Sequence, residues 1–288
     1  MKKTLLALAV VASTAVSGSA MAAWQTGSFQ GNVNFGGTVD TTDYSQKWAW
    51  MVGTGFDQYV NSIRDIQESN NKYTLTIANQ GNNAILLGKT KEAFSTATKG
   101  VGAIPNITFA DFNGQPLLLK NMGMPARTGK AFIDIPIKDG DSNNQIGSLH
   151  LNLVVSGVAV NGSADAPGRL MSLYGAQNYI FNGGIPTETP AVEFGDGEIA
   201  AAKVNQFGGP SAADLWGQVQ AVYPQQTQPY TNATDSVAED MQYSDGKVAA
   251  AAYSMGIQDG QNLVATFDNR PAQTLHWSAP LSIIVSYV

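Results

Sequence analysis

The 288-residue sequence has no cysteine, two histidines and only 13% charged residues. Without cysteine there is no disulfide scaffold, no cysteine-ligated zinc site and no thiol nucleophile. Basic residues number 16 against 22 acidic ones, for a formal net charge of −6 and a sequence pI of about 4.8. Nucleic acid and anionic lipid both call for a basic footprint, so neither is an expected partner. No stretch reaches 18 consecutive apolar residues, so no helix should span a membrane. There is no H-E-x-x-H, no G-x-S-x-G and no P-loop. His150, between Leu149 and Leu151, and His276, before Trp277, read as strand residues rather than ligands. Asp196 and Glu198 flank Gly197 in a spacing that leaves a carboxylate-pair glycosidase open, with nothing else to support it. The acidic loop Asp139–Asn143 lacks the twelve-residue calcium pattern. The expectation is a protein that is not an enzyme and has no cofactor and no metal.

Aromatic and β-branched residues are plentiful, so a packed core is expected rather than disorder. Lys2 and Lys3, the apolar run Thr4–Val16 and the Ala20-Met21-Ala22 cleavage signal mark residues 1–22 as a signal peptide. Cleavage falls after Ala22 or Ala23, and removal of 22 residues leaves 266. Loss of the two lysines moves the net charge from −6 to −8. An exported chain without cysteine must draw its stability from packing or from partners. A surface so poor in charge must be covered by amides, hydroxyls and glycine, or by another protein.

The body reads as short strands separated by turns. Candidates are Tyr73–Ala78, Ala84–Leu87, Ile104–Phe112, Pro116–Leu119, Ala131–Ile137, Ile146–Val155, Val248–Met255 and Leu263–Phe267. Asn113-Gly114, Asp139-Gly140, Asp245-Gly246 and Asp259-Gly260 are turn dipeptides, because these residues tolerate positive φ. This pattern predicts an all-β sandwich. Three stripes predict helices: Phe56, Tyr59, Val60 and Ile63; Leu170, Leu173, Tyr174, Gln177 and Phe181; and Leu215, Val219 and Val222 behind a Ser211–Asp214 capping box. Gly183–Gly209, rich in Gly, Pro and Ala, is expected to be a surface loop. The chain exceeds a sandwich core of about 100 residues, so function is expected on insertions.

Both ends alternate. Phe29, Gly31, Val33, Phe35, Gly37 and Val39 form one face of a period-2 segment, with glycines within that face. Leu281, Ile283, Val285 and Tyr287 alternate up to the penultimate residue. Each is readable as an ordinary first or last strand. The C-terminal one is also readable as a strand whose neighbour comes from outside, since termini fray unless tied into a sheet.

Longer ordered runs carry a resemblance. Thr26-Gly27, Gly36-Gly37, Gln46-Lys47-Trp48 and Val52-Gly53-Thr54-Gly55 lie near the start. Ile85-Leu86-Leu87-Gly88, Thr90-Lys91-Glu92-Ala93-Phe94 and Gly217-Gln218-Val219-Gln220 follow. Glu239-Asp240-Met241, Ala251-Ala252-Tyr253 and Trp277-Ser278-Ala279-Pro280-Leu281 close the series. Through these the chain resembles the FaeG/ClpG-type major fimbrial subunits of the chaperone–usher pilin family. One departure is Leu275, where many pilins have glycine.

The resemblance implies an all-β fold with small helical insertions: an incomplete immunoglobulin-like sandwich completed by donor-strand addition. It implies a donor-strand extension at 23–44, carrying Phe29, Gly31, Val33, Phe35 and Val39 on its apolar face. It implies a pilin domain at 45–288, in which Leu281, Ile283, Val285 and Tyr287 border the acceptor groove and contact a chaperone. The implied partners are neighbouring copies of the chain, a periplasmic chaperone, an outer-membrane usher and host glycans. The implied route is export through the periplasm to a surface fimbrium. An adhesive insertion is expected at 160–224, where Asp165, Arg169, Tyr174, Gln177, Asn178 and Tyr179 offer aromatic faces and hydrogen-bonding groups to a sugar. The same stretch is readable as a small core helix. A monomeric secreted carbohydrate-binding module is the alternative function.

Overall fold

The computed structural model describes residues 44–94, 102–243 and 245–288. The N-terminal alternating segment, with Phe29, Gly31, Val33, Phe35 and Val39, lies outside them. Strands β1 (Trp48–Val52), β2 (Ile66–Ser69), β3 (Lys72–Ala78), β4 (Asn83–Thr90), β5 (Pro105–Ala110), β6 (Pro116–Leu117) and β7 (Lys120–Asn121) come first. Then follow β8 (Lys130–Asp139), β9 (Gln145–Gly162) and β10 (Arg169–Leu173). Helices α1 (Gly197–Gln206) and α2 (Ala212–Val222) precede β11 (Thr231–Val237), β12 (Val248–Ile257), β13 (Asn262–Phe267), β14 (Trp277–Ser278) and β15 (Ser282–Tyr287). The all-β architecture with small helical insertions is as expected.

β9 organises the larger sheet. Its first half pairs with β8 on one side and β13 on the other. Its second half pairs with β12 and with β10. β3 continues the sheet beyond β13, and β4 then β1 continue it beyond β12. Ala131, Ile133, Ile135 and Ile137 of β8 and Leu149, Leu151 and Leu153 of β9 are buried at every second position. Period-2 alternation sends them all to one face, which is the core. A smaller sheet, β15-β5-β6, supplies Ile107 and Phe109 to the same core.

All ten residues of β12 are buried. Ala249, Ala251, Tyr253 and Met255 face the core, while Val248, Ala250 and Ala252 lie beneath the two helices. α2 begins with the expected capping box: the Ser211 hydroxyl accepts from the Asp214 N–H, and the Asp214 carboxylate accepts from the Ser211 N–H. It packs Leu215, Trp216 and Val219 inward. The Trp216 ring rests on bare backbone, since a Cβ on Gly168 would stand 2.2 Å from it.

Three expectations are corrected. No helix forms over 56–63; Phe56 and Tyr59 are half-buried in an irregular segment, and Val60 is 96% exposed. Gly53 and Gly55 precede that stripe, the one capped turn there is a single 3-10 turn, Ile63–Asp65, that takes in only its last residue, and burial of two aromatics outweighs its weak propensity. Leu170 and Leu173 belong to β10, not to a helix. A strand buried on both faces shows a continuous apolar run that periodicity cannot tell from a helix. Beyond it Asn178 and Phe181 adopt positive φ, which no right-handed helix contains. Finally, the expected loop 183–209 contains α1, capped by the Asp196 carboxylate on the Ile199 N–H at 3.0 Å. Asp196 is thereby engaged as a helix cap rather than paired with Glu198, and its hydrogen bonds hold its carboxyl below the usual range.

Leu215→Ala should cost about 2–5 kcal/mol in chemical denaturation, because a fully buried contact between α2 and the sheet is lost. Ser211→Ala should cost only about 1 kcal/mol, the usual worth of an N-cap.

Candidate functional site

β15 pairs with β5 through Ile283–Phe109, Val285–Ile107 and Tyr287–Pro105. β1 pairs with β4. Among the described residues neither strand pairs on its other edge. The expected inward set Leu281, Ile283, Val285 and Tyr287 does share one face of β15 and its lead-in, and each of the four is only half-buried. The interleaved Ser282 and Ser286 are exposed, and Ile284 is 53% exposed on the outer face.

The space between these edges differs along its length. At one end the Trp50 indole N–H donates to the Tyr287 hydroxyl at 2.8 Å. Trp50 also stacks on Trp48 at 6.2 Å and meets Phe181 edge-on at 6.3 Å. Its ring lies over Gly88, where a Cβ would stand 2.3 Å away. At the other end a cavity of about 580 Å³ opens. Ile135, Leu149 and Leu151 belong to its apolar wall, Phe56 and Tyr59 to one side, and Leu275, Leu281 and Ile283 to another. Burial pushes the Tyr59 hydroxyl pKa up. The aromatic stripe read as a helix is therefore a wall of this cavity, and Leu275, the departure from the pilin pattern, lies on it as well.

The six candidate sugar-binding residues are all exposed, and they divide into separate groups. Tyr174, Gln177, Asn178 and Tyr179 occupy one short loop after β10, with the two tyrosines 39% and 37% exposed. Tyr174 is thus not a core residue, whereas Ile180 and Phe181 are fully buried and anchor the loop. Arg169 lies at the opposite end of β10, about 16 Å along a strand rising about 3.3 Å per residue. It pairs with Asp235 of β11 at 2.6 Å. Asp165 sits in the turn between β9 and β10.

One supporting residue was not singled out from the sequence. The loop is suspended by the Tyr174 N–H on the Val237 carbonyl at 3.1 Å and the Ile180 N–H on the Glu239 carbonyl at 2.8 Å. The Glu239 carboxyl is buried and accepts from the Met241 N–H at 2.7 Å. It also hydrogen-bonds the Tyr243 hydroxyl, which in turn accepts from the Asn161 amide at 3.0 Å. No cation pairs with it among the described residues, and burial pushes its pKa up. An acidic residue in Glu239-Asp240-Met241 carries no sequence signal of burial.

The body is thus all-β, with two helices laid on one sheet and an apolar-walled cavity open at a sheet edge. Comparisons with known proteins supply the family. The family model described as "Fimbrial, major and minor subunit" matches residues 1–288, and the chain belongs to that family. It is 41% identical over 290 residues to K88 fimbrial protein AD and 40% identical to K88 fimbrial protein AB, both of Escherichia coli, with 100% of each chain covered. F41 fimbrial protein of the same organism is 29% identical over 296 residues, again at full coverage. The chain is a structural subunit that assembles with other subunits into a surface fimbrium.

Glu239→Gln tests the buried carboxyl. Below the ordinary glutamate value of 4.5 both folded and unfolded chains are protonated. As pH rises through that value the unfolded chain ionises first, so stability should fall until the folded carboxyl ionises too. Thermal unfolding across pH should show this decline in the parent protein and a flatter profile in the variant, which should melt higher at neutral pH.

Proposed function

We propose that this chain is the major subunit of its fimbria and that the groove between β1 and β15 receives residues 25–40 of a neighbouring copy. A periplasmic chaperone fills the groove first, and an outer-membrane usher is the site of exchange. The observation that carries this reading is the half-buried inward face of β15, beside an edge unpaired among the described residues and an open apolar cavity. An added strand supplies main-chain hydrogen bonds to the edge, and its alternate side chains fill the cavity and set register. Burying Phe29, Val33, Phe35 and Val39 is worth on the order of 6–12 kcal/mol, at about 1.5–3 each. That approaches the whole stability of a domain, about 5–15 kcal/mol. A subunit deprived of a strand should therefore be unstable.

The assay compares two proteins by thermal unfolding. One lacks Ala23–Asp40, and the other carries that segment after Val288 through a flexible linker. The fused form should be a stable monomer, and the truncated form should melt far lower or aggregate. Similar midpoints would favour the monomeric binding module. Val33→Asp should block fibre assembly while Asn34→Asp should not, since the two differ in strand face.

The same subunit is proposed to bind host glycans through the exposed Tyr174–Tyr179 loop, with the aromatic faces against the sugar and Gln177 and Asn178 on its hydroxyls. Arg169 and Asp165 stand apart from that loop along the chain and would serve a longer saccharide. Tyr174→Ala should abolish cell adhesion while fibres persist; unchanged adhesion would remove the loop from consideration.

A further inference from the structure

The described fold begins at Tyr44, in a short 3-10 turn that ends at Lys47. Asp40, the last residue assigned to the exchanged strand, is four steps away along the chain. At no more than about 3.6 Å per residue, that link spans at most about 14 Å. A neighbouring copy that holds residues 25–40 must therefore bring the mouth of its groove within that distance of Tyr44.

Beside this turn lies a second open cavity, of about 500 Å³. Lys47, Lys91 and Glu92 line one side, and Asp214, Gly217 and Gln218 of α2 line the other. The walls are fixed. Lys47 pairs with Glu92 at 3.1 Å, and the Gln218 side chain donates to the Thr90 carbonyl at 2.9 Å and accepts from the Thr90 hydroxyl at 2.7 Å. Gly217 is exposed within the helix, and a Cβ there would meet nothing within 4 Å. Glycine costs a helix interior about 1 kcal/mol relative to alanine, and the subunit's own packing does not require it. A bare backbone on a cavity wall admits the close approach of another surface. Ala221 and Val222, the latter 39% exposed, add apolar area on the same side.

We infer that this cavity seats the groove mouth of the adjacent copy, so that consecutive subunits meet through a face contact as well as through the exchanged strand. The inference rests on the strand-exchange reading above. The occupant is a second copy of this chain because a copy holding residues 25–40 is tethered within about 14 Å of Tyr44, and the turn Tyr44–Lys47 borders the cavity.

Amine acetylation followed by mass spectrometry tests it on assembled fibres and on the monomer carrying its own strand after Val288. Lys91 should react at least tenfold more slowly in fibres, while Lys130, exposed on β8, should react equally in both. Equal reaction of Lys91 in the two forms would overturn the inference. Gly217→Trp starts from a position where a Cβ meets nothing within 4 Å and adds bulk on the cavity wall, so its strand-fused monomer should melt like the parent. Its fibres should bend more in electron micrographs or fail to elongate; fibres as stiff as the parent's would also overturn the inference. Failure of the strand-exchange reading is seen separately, as assembly that persists without residues 23–43. Lys91 protected in those fibres would leave the face contact standing alone.

Discussion

The rest of the structure is arranged around the inner face of β15, which stays half-buried among the described residues. Its apolar residues reach into the space between the sheets yet stay half-buried, and its backbone pairs on one side only among the described residues. A strand edge beside an apolar cavity carries two costs at once, unpaired main-chain groups and wetted hydrocarbon. A globular protein would cover such an edge. In a subunit that assembles with others, both costs fall wherever another surface covers that edge. Trp50 and Tyr287 close one end of that space, and the other end is open.

The two helices solve a different problem. β12 has no exposed residue, and its Ala250 and Ala252 face α1 and α2 across a close contact. Small side chains let the helices lie near the sheet, and the glycines under Trp216 allow its ring to settle on backbone. That layer covers the sheet face opposite the main core. It also leaves the outer face of α2 available, with its exposed glycine, near the point where the described fold begins.

The candidate sugar loop shows how far composition can mislead. Apolar residues at Leu170, Leu173 and Phe181 suggest a helix, but four of the five β10 residues are buried and the loop that follows turns at positive φ. The exposed tyrosines are anchored by the buried Ile180 and Phe181 of the loop itself and by the Ile180 N–H on the Glu239 carbonyl of another segment, whose side chain is also buried. Glu239 was invisible as a core residue because burial of a charged side chain is a property of its surroundings. α1 was hidden for a related reason: its alanines and glycine resemble loop composition, and the surface they pack on comes from distant strands.

Alternation, turn dipeptides and the Ser211 capping box were local, so the strands β3, β4, β8, β9, β12 and β13 and helix α2 were legible along the chain itself. The resemblance to fimbrial subunits was legible too, because ordered runs of residues survive without any knowledge of their contacts. Which face of β15 points inward also followed from its period of two. What only the tertiary structure decided was where apolar surface stays uncovered among the described residues. The cavity gathers Phe56, Leu149, Leu275 and Ile283 from four separate segments, and the second cavity joins α2 to the end of β4. Uncovered surface is a difference between what the chain could bury and what its packing does bury, and that difference exists only once distant segments have met.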